Sequence, residues 1–178
     1  MKNNSLLFGI ILIISAIFLT NCKKDKKIEI GQKYEGGIIF YIDGTGKHGM
    51  VCAESDQSSN MQWWNGTYIT INATGTAVGT GNSNTNAIVS AQGNGNYAAK
   101  ICYDLTLNGY SDWYLPSIDE LYELCKNQLA VGLTPCNYYW SSSEYNNEHA
   151  WRQGFCAGYF QEYSFKEGKV NVRAVRSF

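Results

Sequence analysis

Cysteine is the residue type with the widest chemical reach in this 178-residue chain, which carries six of them. Cys22 stands behind an apolar run, whereas Cys52, Cys102, Cys125, Cys136 and Cys156 fall in the body of the sequence. As metal ligands these are poorly spaced, since no Cys-x-x-Cys occurs and His48 and His149 stand apart from ligand spacing. As nucleophile and base, Cys156 and His149 are close in the chain, but strand geometry sets them on opposite sides. As disulfides, five is an odd number, which allows two bridges and one free thiol, or fewer, in an oxidising compartment. Spacing leaves the pairing open: Cys125 with Cys136 would close a small loop, Cys52 with Cys156 would join two strands, and Cys102 would then be the buried free thiol.

Carboxylates offer less catalytic promise. Asp112 with Asp119 or Glu120 could pose as a glycosidase pair, but capping of a helix accounts for them better. Phosphate-loop and nucleophile-elbow motifs are missing, so no catalytic residue is assigned and the chain is expected not to be an enzyme. The ligand-facing candidates are loop residues: Trp63 and Trp64, with the polar cluster Glu144, Asn146, Asn147 and Glu148. Sugars present apolar C–H faces and many hydroxyls, and sites for them combine aromatic platforms with amide or carboxylate partners. The same oxygens could ligate Ca2+. Neither Glu-Pro-Asn nor Trp-Asn-Asp occurs in that region, so motif gives calcium no support and no cofactor is expected.

The first residues carry an address. Lys2 precedes an apolar run over 6–19, which is the length of a signal-peptide core and below the ~20 residues needed to span a bilayer. It closes on Leu19-Thr20-Asn21-Cys22, which resembles the lipobox of bacterial lipoproteins, although Asn21 stands where Gly, Ala or Ser is usual. The resemblance implies a leader over 1–21 and an acylated Cys22, whose two chains would hold the protein on a membrane without a spanning segment. Residues 22–30 include Lys23-Lys24-Asp25-Lys26-Lys27, too charged to pack, and read as a solvated tether. The expected location is the cell envelope, at the outer membrane or cell surface.

Past the tether, residues 31–178 suit one domain with a sizeable core. From Ile28 onward there are 9 Lys and Arg against 14 Asp and Glu, a net of about −5. That balance disfavours nucleic acid and sulfated polymers, which are bound by neutralising their charge. With 13 Tyr, 5 Trp and 18 Gly but only 2 Pro, the composition fits a loop-rich extracellular domain with aromatic contact surfaces and a neutral ligand.

The elements that must position these residues follow from pattern. Apolar runs over 37–42 and 49–53, joined through Asp43-Gly44-Thr45-Gly46, predict a hairpin. Residues 55–86, rich in Asn, Ser, Thr and Gly, keep no period and predict a long loop. A helix is expected within 96–107, with Ala98, Cys102 and Leu105 on one face. A second begins after Pro116 at Ser117-Ile118-Asp119-Glu120, a capping box, with Ile118, Leu121, Tyr122, Cys125 and Leu129 as its buried stripe. Strands are expected over 138–142, 150–155, 159–165 and 170–175. The fold class is therefore α+β, two helices packed on a twisted, mostly antiparallel sheet with long loops.

Within these elements, Asn108-Gly109-Tyr110-Ser111-Asp112-Trp113-Tyr114-Leu115-Pro116-Ser117 with Glu120-Leu121, Tyr139-Trp140-Ser141-Ser142-Ser143-Glu144, and Val172-Arg173-Ala174-Val175-Arg176 resemble the Lcl C-terminal domain. Gly36-Gly37-Ile38-Ile39-Phe40, His48-Gly49-Met50-Val51, Ser55-Asp56-Gln57-Ser58 and Gly81-Asn82 with Asn84-Thr85 agree in order, so the resemblance spans residues 31–178. It implies a fold similar to C-type lectins and formylglycine-generating enzymes. It also implies attachment to sulfated glycosaminoglycans, the role of the collagen-like adhesin for which the domain is named. This chain has no Gly-X-Y repeat and is acidic, so the fold carries over better than that ligand. The formylglycine enzymes' cysteine pair is also unmatched, since Cys156 has no cysteine a few residues away.

The motif residues are expected to be structural. Asp112 and Trp113 would fix the helix start at Pro116, Ser117 and Glu120 by satisfying nearby amides. Trp140, Ser142 and Glu144 share a strand face, where Glu144 is a buried acceptor or a ligand contact, and Arg173 and Arg176 could pair with such carboxylates. The expected function is a surface lipoprotein whose lectin-like domain recognises a glycan or a surface protein. The alternative is a structural module of a surface assembly with no small ligand.

Overall fold

The computed structural model describes residues 27–133, 136–156 and 158–178. Their elements run β1 (Lys33–Tyr34), β2 (Gly37–Ile42), β3 (Gly49–Cys52), β4 (Ser58–Met61), α1 (Gly81–Gln92), α2 (Ala98–Tyr103), α3 (Ile118–Lys126), β5 (Tyr138–Glu144), β6 (His149–Gly154), β7 (Gln161–Phe165), β8 (Val170–Val172) and β9 (Val175–Ser177). The class is α+β, as the sequence implies. The leader, Cys22 and most of the tether lie outside the described residues.

The strands form two sheets, β1-β2-β3-β9 and β4-β8-β5-β6-β7, antiparallel throughout except where β8 runs parallel to β5 at Tyr139 and Asn171. The expected first hairpin is β2–β3. Its turn is held by Asp43, whose Oδ1 accepts from the amides of Thr45 (3.0 Å) and Gly46 (3.1 Å), an Asx turn. Successive residues of the first sheet enter different cores. Ile39, Val51 and Ala174 pack with Trp63, Ile88, Trp113, Leu115 and Trp140, whereas Phe40, Met50 and Val175 pack with Leu121, Leu124, Tyr139 and Phe155. Side chains alternate along a strand, so the sheet is buried on both faces, which is why β2 reads as a continuous apolar run.

The capping box at α3 is present: Ser117 Oγ accepts from the Glu120 amide (3.3 Å) while Glu120 Oε2 accepts from the Ser117 amide (2.8 Å). Glu120 also accepts from the amides of Gly79 (2.8 Å) and Gly81 (3.4 Å), tying the start of α1 to α3. Burial raises the pKa of its carboxyl, and the amides oppose that rise. Gly81 is forced by this contact, since a Cβ there would lie 2.2 Å from Glu120 Oε2. The buried stripe is Ile118, Leu121, Leu124 and Cys125. Tyr122 is partly exposed, and Leu129, past the helix end, is 79% exposed.

Three helices replace the two expected. The stretch predicted as a long loop holds β4 and the beginning of α1, a helix of sequence GNSNTNAIVSAQ with no side-chain cap. Its polar residues bind across the fold instead: Thr85 Oγ1 accepts from the Leu115 amide (3.0 Å) and donates to the Leu115 carbonyl (3.1 Å), and Asn84 spans to Gly75. Tertiary bonds of this kind stabilise a helix that has no apolar period. The last strand divides into β8 and β9, on different sheets, because Arg173 and Ala174 carry the chain between them.

The cysteine pairings are corrected. All five described cysteines are free thiols, so neither Cys125 with Cys136 nor Cys52 with Cys156 is joined. Cys52 is sealed on β3 among Phe40, Leu121 and Leu124, and Cys125 faces inward from α3, its Sγ 3.5 Å from the Gly154 carbonyl. Cys102 is a buried thiol.

Candidate binding face

Two of the expected ligand contacts are interior groups. Trp63 has no exposed surface, its indole N–H donates to the Ser141 carbonyl at 2.7 Å, and Lys166 Nζ sits 4.8 Å over its ring. Glu144 is buried too: its carboxylate accepts from the amides of Ile71 (3.0 Å) and Asn72 (2.8 Å) and from Lys166 Nζ (2.6 Å). Lys166 Nζ completes its shell with the Asn147 (2.8 Å) and Ile69 (3.2 Å) carbonyls. Burial lowers the Lys166 pKa, and the adjacent carboxylate opposes that shift. Of the two roles open to Glu144, it fills the buried acceptor's.

The remaining candidates sit at the surface. Asn146 shapes the β5–β6 turn, its Oδ1 accepting from the amides of Glu148 (2.9 Å) and His149 (2.8 Å). Asn147 and Glu148 are exposed beside it. Trp64 is half-buried and packs on Tyr68, with ring centroids 4.0 Å apart and planes tilted by 36°. The Tyr68 hydroxyl donates to Glu167, which pushes the phenol up to about 12 and holds the carboxyl below its ordinary value.

Sequence reasoning missed the neighbouring aromatic face. In β6 and β7 the register sets His149 opposite Phe165 and Trp151 opposite Tyr163. Alternation puts all four side chains on one side, and Tyr145 from the turn folds over them. The Tyr145 and Tyr163 rings are parallel within 2° at 4.1 Å, Trp151 meets both edge-on at 5.3 and 6.0 Å, and His149 lies 4.2 Å from Phe165. Tyr145, Tyr163 and Phe165 are each about half exposed, at 46, 49 and 52%. The available signal was the pairing of His149-x-Trp151 with Tyr163-x-Phe165 across a predicted hairpin.

The motif residues hold the frame. Arg176 grips Asp112 through two bonds, Nε to Oδ1 (2.7 Å) and Nη2 to Oδ2 (2.9 Å), and lies 4.0 Å over the Tyr110 ring. Asp112 therefore pairs with the last strand and not with loop amides, and Arg176 lowers its pKa. Arg173 binds Asp56 (2.6 Å) and the Ala53 carbonyl (2.6 Å), and Trp140 donates to the Met61 carbonyl (2.8 Å). Trp113 is buried, and the Pro116 carbonyl accepts from the Ser142 amide (2.7 Å). Both arginines are occupied by carboxylates and carbonyls. Among the described residues no three His, Cys, Asp or Glu side chains group as a metal site, and no helix is long and apolar enough to cross a membrane.

Fold and face together define a small α+β domain of two mostly antiparallel sheets that presents clustered aromatic rings on its five-stranded sheet. The sequence profile of the Lcl C-terminal domain matches residues 52–176, and the chain belongs to that family. No curated protein matches it. Among solved structures, a fimbrial protein from Bacteroides ovatus shares the fold with a TM-score of 0.55 at 13% identity, over 78% of this chain. The match covers 43% of the fimbrial chain, so this chain corresponds to less than half of its length.

Proposed function

We propose that the protein is a cell-envelope lipoprotein, anchored through an acylated Cys22, whose domain recognises a neutral glycan on the aromatic face of β6 and β7. The observation that carries this reading is the exposed stack of Tyr145 on Tyr163, extended by Trp151, His149 and Phe165. Rings locked against one another lose little freedom when a sugar's C–H face lies across them, and Asn147 and Glu148 at the rim supply hydroxyl partners. The acidic balance of the domain favours an uncharged glycan over a sulfated one. The C-type-lectin-like architecture implied by family resemblance belongs to this reading, as does a role in recognition and not in catalysis. A fold shared with a fimbrial protein agrees with a surface location.

A second reading, a module of a surface assembly, is favoured by one observation. β7 is the last strand of its sheet, so its outer edge has no strand partner among the described residues, beside exposed Tyr163 and Phe165. The full chain on a glycan array with neutral and sulfated polymers, with calcium and again with chelator, separates the two. Saturable binding to neutral glycans, lost in Tyr145→Ala/Tyr163→Ala, is expected. A blank array at high protein concentration removes the glycan reading and leaves the assembly.

A further inference from the structure

The structure divides the five described cysteines into two groups. Cys52, Cys102 and Cys125 are buried. Burial pushes the Cys52 and Cys125 thiols up to about 12 and raises Cys102 as well, so at neutral pH all three are protonated and out of reach of an oxidant. Cys136 is exposed and Cys156 half-buried. They lie just past the paired ends of β5 and β6, where Tyr138 stands opposite Gly154.

Past that pair the ladder bulges, Cys136 and Asn137 both facing Phe155, which sets Cys136 diagonally beside Cys156. The strand ends are held together by the Phe155 amide donating to the Asn137 carbonyl (2.9 Å) and the Cys136 amide to the Phe155 carbonyl (3.4 Å). The neighbouring Cys136 thiol raises the pKa of Cys156. Adjacent strands lie about 4.7–4.9 Å apart, within the roughly 4.4–6.8 Å between Cα atoms that a disulfide spans. Cys136 also has a φ of +73°, a conformation that a residue with a side chain seldom adopts and that a covalent tie would hold.

We infer that Cys136 and Cys156 form a cross-strand disulfide that fastens the open end of the β5–β6 ladder, made by exchange with a protein or small-molecule disulfide. In the first step the Cys136 thiolate attacks a sulfur of that disulfide, giving a mixed disulfide and releasing one thiolate. In the second, the Cys156 thiolate attacks Cys136 Sγ and expels the other thiolate. The two cysteines thus lose two protons and two electrons, and the oxidant leaves as two thiols. The sequence left this pair unread because only strand pairing brings its members together. The bond's occurrence in the cell rests on the export reading above, whereas its chemistry rests on the strand geometry alone.

The test uses the purified full chain, oxidised with glutathione disulfide, alkylated in denaturant and mapped by peptide mass spectrometry. The expected result is one linked peptide pair, Cys136 with Cys156, lighter by two hydrogens than the separate peptides, with Cys52, Cys102 and Cys125 alkylated. Oxidation should also raise Tm by about 5–10 °C, and Cys136→Ser, a surface change, should abolish that rise. Separate alkylation of Cys136 and Cys156 after oxidation, a stable glutathione adduct on either, or linkage to any other cysteine overturns the inference. So does an unchanged Tm rise in Cys136→Ser. None of these outcomes depends on where the protein resides or on what the aromatic face binds.

Discussion

Lys166 Nζ lies 2.6 Å from Glu144 Oε1, and the two side chains are 0% and 1% exposed. Each charge is fully bonded: the carboxylate by two backbone amides of the loop after Trp63, the ammonium by two carbonyls, one from that loop and one from the β5–β6 turn. The pair therefore fastens the loop, the turn and the β7–β8 connection at one point, over the Trp63 ring and next to the strands that carry the aromatic face.

Lys166→Ala leaves a buried, unpaired carboxylate and is expected to cost about 3–5 kcal/mol, read as a lower midpoint in urea unfolding. Glu144→Gln/Lys166→Met, which removes both charges, should cost clearly less than the single change.

Trp63→Ala opens a cavity in the core and should cost about 3–5 kcal/mol, whereas Tyr163→Ala on the outer face should cost about 1 kcal/mol or less. Circular dichroism and urea unfolding separate these, and in the glycan assay only the Tyr163 change should lower affinity at unchanged fold.

Ser117→Ala removes the α3 cap and should cost about 2 kcal/mol, the upper end for a cap. The loss should exceed that of an ordinary cap because Ser117 Oγ also donates to the Ala77 carbonyl (3.0 Å) ahead of α1. Amide hydrogen exchange should rise at both helix starts.

Asp112 has its pKa lowered by Arg176, so the unfolded chain binds the proton more readily than the native one. Its contribution is present above the ordinary Asp value of about 3.9 and is lost as pH falls through the native value. Asp112→Asn should therefore be less stable than the parent at pH 7, with the difference shrinking below about pH 4. A constant difference across pH 2–7 would contradict this.

Cys22→Ala in the full chain should move the protein from the membrane fraction to the soluble one, since the acyl chains supply the anchoring. Unchanged fractionation would refute lipidation.

What the sequence determined by itself were the features written locally. The apolar runs of β2 and β3 with the Asp43 turn, the Ser117 and Glu120 capping box, and the strand signals over 138–142, 150–155 and 159–165 appear within a residue or two of where propensity and spacing put them, whereas the one expected over 170–175 is split between two sheets. The Arg173 and Arg176 pairing with carboxylates was also legible, because a buried guanidinium needs such partners. Tertiary structure decided the rest. The α1 helix has no apolar stripe and is stabilised by bonds to remote backbone, Trp63, a loop residue by sequence, became core, and of the two roles open to Glu144 the buried acceptor's was decided by Lys166 on a distant turn. The aromatic face and the Cys136–Cys156 juxtaposition exist only once β5, β6 and β7 pair, since register alone determines which side chains of separate strands share a side.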